Sequence, residues 1–287
     1  MRVVRQPAAM RRWSDATRPG ERVGFVPTMG SLHEGHLALV RAARRQCDRV
    51  VVSIFVNPTQ FGPTEDFAGY PREPADDRRL LRQEGVDVVF MPGETVMYPP
   101  DFATSVEVTG LTGVMCGRYR PEHFSGVTTV VAKLFAIVRP DRAYFGSKDA
   151  QQLIVIRRMA RDLDFGVRIV AVPTVREPDG LAMSSRNRYL TPEERAEAPV
   201  LYQALRFCRQ QVMDGEQSVV RLRRRMLDFI RRNSRARVQY LEFVDAERLE
   251  PVRQVQGRVL VAIAAWFGNA RLIDNTLISG QNRVTEF

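Results

Sequence analysis

Two of the chain's three histidines, His33 and His36, stand three residues apart in Pro27-Thr28-Met29-Gly30-Ser31-Leu32-His33-Glu34-Gly35-His36. An apolar run, Val23 to Val26, leads into this segment, and a helical pattern, Leu37 to Arg44, leads out of it. Strand, glycine-bearing turn and helix start form the arrangement in which backbone N–H groups and the helix dipole favour a phosphate. Residues at i and i+3 share a helix face, so two imidazoles there would meet the same anion. A surface coincidence and half of a metal site are the other readings. Zinc would need a third and a fourth ligand. His123 lies far along the chain, and Cys47, Cys116 and Cys208 show no ligand spacing. Phosphate is the better match, and no metal-ligating residue is assigned.

A second chemical signal is a contrast among the cations. Of 43 lysines and arginines, only Lys133 and Lys148 are lysine. A compact ammonium and a planar guanidinium are not interchangeable at a crowded site, which marks both positions, although drift would also leave two lysines. A snorkelling lysine on a helix face is an equal reading for Lys133.

The net charge of +10 raises an RNA-binding alternative, whose affinity would collapse with salt. Its densest arginine clusters, at 221–225 and 231–237, interleave only Phe229, too little for a base-stacking platform. An amphipathic helix with a solvated arginine face accounts for them, so no nucleic-acid partner is expected. With 44% hydrophobic and 26% charged residues the composition is that of a globular protein. The longest apolar runs, Val50 to Val56 and Val259 to Phe267, are too short to span a bilayer. Met1 to Trp13 contains no continuous apolar stretch of the kind a signal peptide needs. Three dispersed cysteines argue against a disulfide framework, so a reducing cytoplasm is the expected compartment.

The elements that must position these residues follow from patterning. β-rich runs at Val23–Val26, Val50–Val56, Val86–Met91, Ala143–Phe145 and Val167–Val172 alternate with helical patterns at Leu37–Arg45, Asp76–Glu84, Val127–Val138 and Ala150–Asp162. Such alternation implies an α/β fold, a parallel sheet with helices on both faces, whose ligands sit beyond the carboxyl ends of the strands. The histidines follow the first of these strands and Asn57-Pro58-Thr59-Gln60 the second, so the two loops should meet. Residues 1–175 are expected to form this domain, and 176–287 a smaller α+β domain. Within the latter, Thr191-Pro192-Glu193-Glu194 reads as a helix cap, arginine-rich helices run to about Arg232, and strands lie near Val238–Val244, Arg258–Trp266 and Ala270–Asp274. Gly62 to Pro74 reads as an irregular loop long enough to serve as a lid.

Five segments then call for one explanation: the 27–36 stretch, Val-Asn-Pro-Thr-Gln-Phe at 56–61, Arg-Pro-Glu-His-Phe-Ser-Gly-Val at 120–127, Gly-Ser-Lys-Asp-Ala-Gln-Gln-Leu at 146–153, and Met-Ser-Ser-Arg-Asn at 183–187. In this order and spacing they resemble the pantoate–β-alanine ligase family of His-x-Gly-His nucleotidyltransferases, over about Val23 to Ile278. The resemblance implies a Rossmann-like first domain and a C-terminal lid domain. It also implies ATP, Mg2+, pantoate and β-alanine as small-molecule ligands, a pantoyl-adenylate intermediate and a homodimer.

By the same resemblance His36, His33, Lys148 and Arg186 are catalytic. ATP contacts are implied for Met29, Gly30, His33, His36, Gly146, Ser147, Lys148, Asp149, Val175, Met183, Ser184, Ser185 and Arg186, and substrate contacts for Gln60 and Gln152. An amide can donate to a carboxylate and accept from a hydroxyl, as a hydroxy acid requires. His123 is expected to brace the loop beside Arg120. Ala150, Ser147 and Glu122 depart from the residues usual in the family, which bears on affinity rather than on the reaction. Another nucleotidyltransferase of the superfamily is the alternative, and the two glutamines argue against it, because a phosphorylated acceptor would favour arginines.

Overall fold

The computed structural model describes residues 1–17, 20–63, 65 and 67–280. They divide into two compact units: Met1–Gly146 with Gln152–Val172, and Ser147–Gln151 with the chain from Pro173 onward.

The first unit contains β1 (Arg2–Val4), α1 (Pro7–Asp15), β2 (Val23–Thr28), α2 (Glu34–Gln46), β3 (Arg49–Ile54), α3 (Pro74–Gln83) and β4 (Val88–Phe90). Two short helices follow, α4 (Glu94–Met97) and α5 (Cys116–Tyr119), then α6 (His123–Val138), β5 (Arg142–Gly146), α7 (Ala150–Asp162, from Gln152 within this unit) and β6 (Arg168–Val172). The six strands form one parallel sheet in the order β1-β4-β3-β2-β5-β6. Successive residues of a strand face opposite sides, and β2 shows what covers each. The Phe25 ring meets Phe135 of α6 edge-on, with centroids 6.5 Å apart. Val26 joins Val40 and Ala43 of α2 in a second buried cluster with Val50, Val52 and Val89. Helices thus cover both faces, and the near-continuous Val/Ile runs are explained by two-sided burial.

The sheet reverses direction of growth at β2, with β3 and β4 to one side and β5 and β6 to the other. In open α/β sheets a ligand crevice opens at this switch point, beyond the carboxyl ends of the strands. The loop carrying the histidines leaves the end of β2, and the loop carrying Gln60 leaves its neighbour β3. Patterning overlooked β1 and α1; a three-residue edge strand holds too few residues to show a period. It also extended β3 to Val56, whereas the strand ends at Ile54 because Asn57 introduces a 3-10 turn over Pro58–Gln60.

The second unit comprises α8 (Pro192–Glu197), α9 (Val200–Met213), α10 (Val219–Asn233) and an antiparallel sheet β7 (Arg237–Asp245), β8 (Arg258–Phe267), β9 (Ala270–Ser279). Thr191 caps α8 as its sequence implies: its hydroxyl accepts the Glu194 amide, and the Glu194 carboxylate accepts the Thr191 amide in return. Leu201, Leu205, Leu222, Met226 and Ile230 pack on Val259, Val261 and Ile263 of β8. The arginines at 221 and 223–225 lie on the exposed side of α10, Arg221 reaching Glu216 at 2.7 Å, while Phe229 stacks on Phe207 with centroids 5.3 Å apart. The aromatic that interrupts the basic cluster therefore packs inside its own unit. β9 continues five residues past the Asp274 expected as its end, and this extension carries Asn275.

Candidate functional site

The turn after β2 is built around one carboxylate. Gly30 and Ser31 both adopt left-handed backbone, with φ of 83° and 50°, and the reversal points the next amides inward. Asp77 of α3, 2% exposed, accepts from the Ser31 amide at 3.1 Å and the Leu32 amide at 2.8 Å. A Cβ at Gly30 would stand 2.9 Å from the Asp77 carboxylate, so only glycine combines this φ with this approach. Burial raises the pKa of Asp77 against the opposing pull of the two amides. Its position was legible in principle: it lies one turn before buried Leu81, on the inward stripe of α3, whereas exposed Asp76 points away.

His33 is the N-cap of α2 and His36 its third residue, and the two rings cap the helix reciprocally. The Gly35 amide donates to His33 Nδ1 at 3.1 Å, and the His33 amide donates to His36 Nδ1 at 3.3 Å. A backbone N–H can only donate, so both Nδ1 atoms are acceptors and each neutral ring carries its proton on Nε2. The rings lie 4.2 Å apart at 40°. This changes the expectation drawn from the strand–turn–helix pattern. The amides of Ser31, Leu32, His33 and Gly35 are engaged by Asp77 and by the imidazoles. Those four amides are therefore not the open donors that the pattern suggested, and each ring carries its N–H on Nε2.

Gln60 sits at the end of the 3-10 turn after β3, and almost every polar atom around it is fixed. Asn57, 1% exposed, donates from Nδ2 to the Gly126 carbonyl at 3.0 Å and to Gln60 Oε1 at 3.1 Å. Its Oδ1 accepts from the Tyr98 hydroxyl at 2.8 Å and the Thr59 hydroxyl at 3.0 Å. All its donors and acceptors are used, which fixes the sense of the amide and turns Gln60 Nε2 toward Met29 Sδ, 3.0 Å away. The loops after β2 and β3 therefore meet, as the two motifs implied. Gly126 of α6 lets the turn approach: a Cβ there would lie 2.5 Å from the Thr59 carbonyl carbon and 2.7 Å from the Gln60 amide nitrogen.

The Gln60 carbonyl is held by His123, the first residue of α6, and by Arg120, the C-cap of α5. His123 Nδ1 lies 2.9 Å from it and Arg120 Nη2 3.2 Å, while Arg120 Nη1 meets His123 Nε2 at 3.1 Å. Because the guanidinium donates to Nε2, the His123 proton lies on Nδ1 and points at the carbonyl. Arg120 is anchored in turn by Glu65 at 2.5 Å. Burial pushes the Glu65 carboxyl up, but the paired guanidinium holds it below the usual range. His123 braces the loop, as expected. Residues 64 and 66 of the 62–74 loop lie outside the described residues. Among the others Phe61 packs on Phe67 and Tyr70, with centroids 5.4 and 5.8 Å away.

Lys133 donates to the Met97 carbonyl and lies over the Phe102 ring, 4.1 Å from its centroid. Burial lowers its pKa. It ties α6 to α4 and also lies 5.3 Å from the centroid of the Tyr98 ring, whose hydroxyl donates to Asn57. Gln152 stands half-buried in the first turn of α7, after β5, the other neighbour of β2.

In the second unit, Ser147–Asp149 form a 3-10 turn that follows Gly146 at the end of β5. Val175 and Met183 face one another, the Met183 amide donating to the Val175 carbonyl at 3.0 Å. Ser184 caps the next 3-10 turn, Ser185–Tyr189, accepting from the Arg186 amide at 3.3 Å. Lys148 and Ser184 line one narrow cleft with Leu181, Tyr202 and Asp274. Burial lowers the pKa of the Lys148 ammonium; the nearby Arg186 charge lowers it further, and Asp149 and Asp274 oppose both. The lysine–serine–arginine group is therefore gathered within this unit. Asp274 and Asn275, which hold its backbone, carried no signal in the sequence. The 147–151 and 271–275 stretches are over a hundred residues apart, and nothing in β9's alternation marks two polar residues as structural.

Among the described residues no three His, Cys, Asp or Glu side chains gather to hold a metal ion. None of their helices is long and apolar enough to cross a membrane. Cys47, Cys116 and Cys208 form no disulfide.

A family model described as pantoate-beta-alanine ligase matches residues 2–277. Pantothenate synthetase of Thermotoga neapolitana is 56% identical over 279 residues, 97% of this chain and 100% of that one. The Moorella thermoacetica pantothenate synthetase is 54% identical over 97% of this chain and 99% of its own. A crystal structure of pantothenate synthetase from Thermus thermophilus matches with TM-score 0.90 at 52% identity, over 96% of this chain and 98% of that one. A Francisella tularensis pantoate-beta-alanine ligase, solved in complex with beta-gamma ATP and beta-alanine, matches with TM-score 0.79 at 32% identity over 98% of both chains.

Proposed function

The chain belongs to the pantoate–β-alanine ligase family, and from that premise we propose how its residues divide the reaction. It is an ATP-dependent ligase that condenses pantoate with β-alanine to give pantothenate. In the first step a pantoate carboxylate oxygen attacks the ATP α-phosphorus. An acyl–O–P bond forms, the Pα–O–Pβ bond breaks, and pyrophosphate leaves. In the second step the neutral β-alanine amine attacks the acyl carbon of the adenylate; a C–N bond forms, the acyl–O bond breaks, AMP leaves with the bonding pair, and the proton released from the amine passes to solvent.

A carboxylate needs no base before it attacks, so the first step depends on donors that follow negative charge onto the leaving pyrophosphate. The observation that carries this reading is the tautomeric state of the histidine pair, with both Nδ1 atoms capping α2 and both protons on Nε2. His33 and His36 donate hydrogen bonds to the phosphates from those positions, and the family resemblance gives His36 the donor role toward the departing pyrophosphate. Lys148 and Arg186 supply the cations, with Ser184 and Ser185 donating beside them. Met29, Gly30, Gly146, Ser147, Asp149, Val175 and Met183 complete the nucleotide's surroundings. Gln60 and Gln152 hold pantoate, the first through the Nε2 that Asn57 turns toward Met29, where one of its two hydrogens serves the ligand.

Mg2+ accompanies ATP as counter-charge to its phosphates. No carboxylate or imidazole cluster suited to hold it was found among the described residues, and no step is routed through a protein-bound ion. Residues 1–175 act as the nucleotide- and pantoate-binding domain and 176–287 as a lid domain. The enzyme works as a cytoplasmic homodimer. The deciding experiment is pyrophosphate exchange into ATP: exchange that requires pantoate but not β-alanine supports the two-step scheme, whereas exchange indifferent to pantoate overturns the substrate assignment.

A further inference from the structure

We propose that Asn275 is a positioning residue that acts through Lys148, by pinning the turn on which the lysine stands. The proposal rests on the reading of Lys148 as a catalytic cation. One amide carries it. Asn275 Nδ2 donates to the Ser147 carbonyl at 2.9 Å and to the Lys148 carbonyl at 2.8 Å. Only the NH2 end of a carboxamide can satisfy two carbonyls, so the side chain's sense is settled by its partners, and both of its hydrogens are used. Two consecutive carbonyls of a 3-10 turn held by one rigid group leave that turn no room to rotate.

Asn275 is itself overdetermined. It is 8% exposed and sits mid-strand in β9, paired with Ala262 of β8. Its own amide donates to the Asp274 carboxylate at 2.8 Å. Asp274, 2% exposed, is gripped by both terminal nitrogens of Arg176, at 2.6 and 2.9 Å. Arg176 also donates to the Gly180 carbonyl at 3.0 Å and lies 3.9 Å over the Tyr202 ring. One dipeptide of β9 thus fixes both the Lys148 turn and the hairpin that leads to Ser184. The two phosphate-binding pieces, thirty-six residues apart in sequence, acquire a common reference frame. An ammonium on a four-carbon stem has ample freedom of its own, and catalysis by charge placement depends on removing that freedom beforehand.

The test is a double-mutant cycle in pyrophosphate exchange, combined with a spectroscopic readout. Asn275→Ala should lower kcat/KM for ATP about tenfold or more and leave the KM for pantoate within twofold. In a Lys148→Ala background the same substitution should cost less than twofold. An equal loss in both backgrounds, or no loss in the otherwise unchanged enzyme, overturns the proposal. Should Lys148→Ala alone leave exchange unaltered, the reading of Lys148 fails first and the proposal falls with it.

The second readout needs no activity. With only two lysines in the chain, a Lys133→Arg protein labelled with 13C-lysine gives a single Lys148 side-chain set of NMR signals. Asn275→Ala should shift and sharpen the Lys148 Cε signal in protein that still melts cooperatively. An unmoved signal refutes the mechanism even where activity falls. Asn275→Asp keeps the size and removes both donors, so it should reproduce the shift, whereas a merely space-filling role would leave it unmoved.

Discussion

In the proposed mechanism His36 has two tasks on two different nitrogens, of which the cap is observed, and a pair of substitutions separates them. Nδ1 accepts the His33 amide at 3.3 Å and so caps α2, while Nε2–H is the donor assigned to phosphate. Asparagine places its Oδ1 where Nδ1 stands and offers nothing at the far side. Glutamine places an NH2 near the Nε2 position and leaves the cap unfilled. An N-cap contact is worth about 1 kcal/mol. In a unit of this size that corresponds to a shift of roughly 2–4 °C in melting midpoint. Loss of one pre-organised donor to developing oxyanion charge lowers kcat by about 100- to 1000-fold, or roughly 3–4 kcal/mol. His36→Asn should therefore melt within about a degree of the parent and lose turnover by that factor. His36→Gln should melt lower by the few degrees given and retain more turnover than the asparagine variant. Differential scanning calorimetry and single-turnover adenylate formation read the two effects. An asparagine variant that turns over within twofold of the parent, or two variants in the opposite order, would refute the division of labour between the ring nitrogens.

Asp77→Asn keeps one acceptor for the Leu32 amide but sets an NH2 against the Ser31 amide. It should destabilise by about 2 kcal/mol, with a fall in exchange activity, and an unaltered melting midpoint would show that the carboxylate does not hold the turn. Gly126→Ala drives a methyl into the Thr59–Gln60 backbone and should raise the pantoate KM at least fivefold; an unchanged KM in steady-state assays would dissociate Gln60 from pantoate. Shortening the 62–74 loop should uncouple AMP release from pantothenate formation, since a mixed anhydride is hydrolysed wherever water reaches it. AMP and pantothenate measured in equal amounts would rule that out. Glu65 has a folded pKa below its ordinary 4.5 because Arg120 outweighs burial. Its stabilisation is therefore present above pH 4.5 and lost as pH falls through the depressed value. The melting midpoint of Glu65→Gln should lie below the parent's at about pH 7 and converge on it in acid; parallel curves would contradict the linkage.

The local chemistry of this protein was legible along the chain. Val/Ile runs alternating with helical patterns are what a sheet buried on both faces demands, and the parallel sheet follows from them. The His33–His36 spacing placed both rings on one helical turn, and Thr191-Pro192 marked the start of α8, because caps and turns are decided within four residues. The 221–225 arginine cluster was readable as a solvated helix face for the same reason, since helical spacing separates Leu222 and Met226 from their charged neighbours, whereas the 231–237 cluster leaves the helix after Asn233 and Arg237 opens β7.

Tertiary structure decided what each motif atom faces. The sequence could place two imidazoles on one helical turn, but it could not reveal that their Nδ1 atoms are spent on the helix cap and their protons carried on Nε2. That assignment depends on distances between backbone and ring. Nor could it show Asp77 taking the amides of Ser31 and Leu32, Asn57 setting the sense of Gln60, or Asn275 grasping the carbonyls of Ser147 and Lys148. Asp77 and Asn275 reach residues brought near only by folding, and Asn57, though close to Gln60 in sequence, takes its own orientation from Gly126 and Tyr98; a buried amide or carboxylate has no periodic signature to announce it. Residue types and their spacing specify which groups are present. Folding selects their protonation sites, the orientation of their amides and the partners that hold them still, because hydrogen bonding is directional and a buried donor must find its acceptor in space.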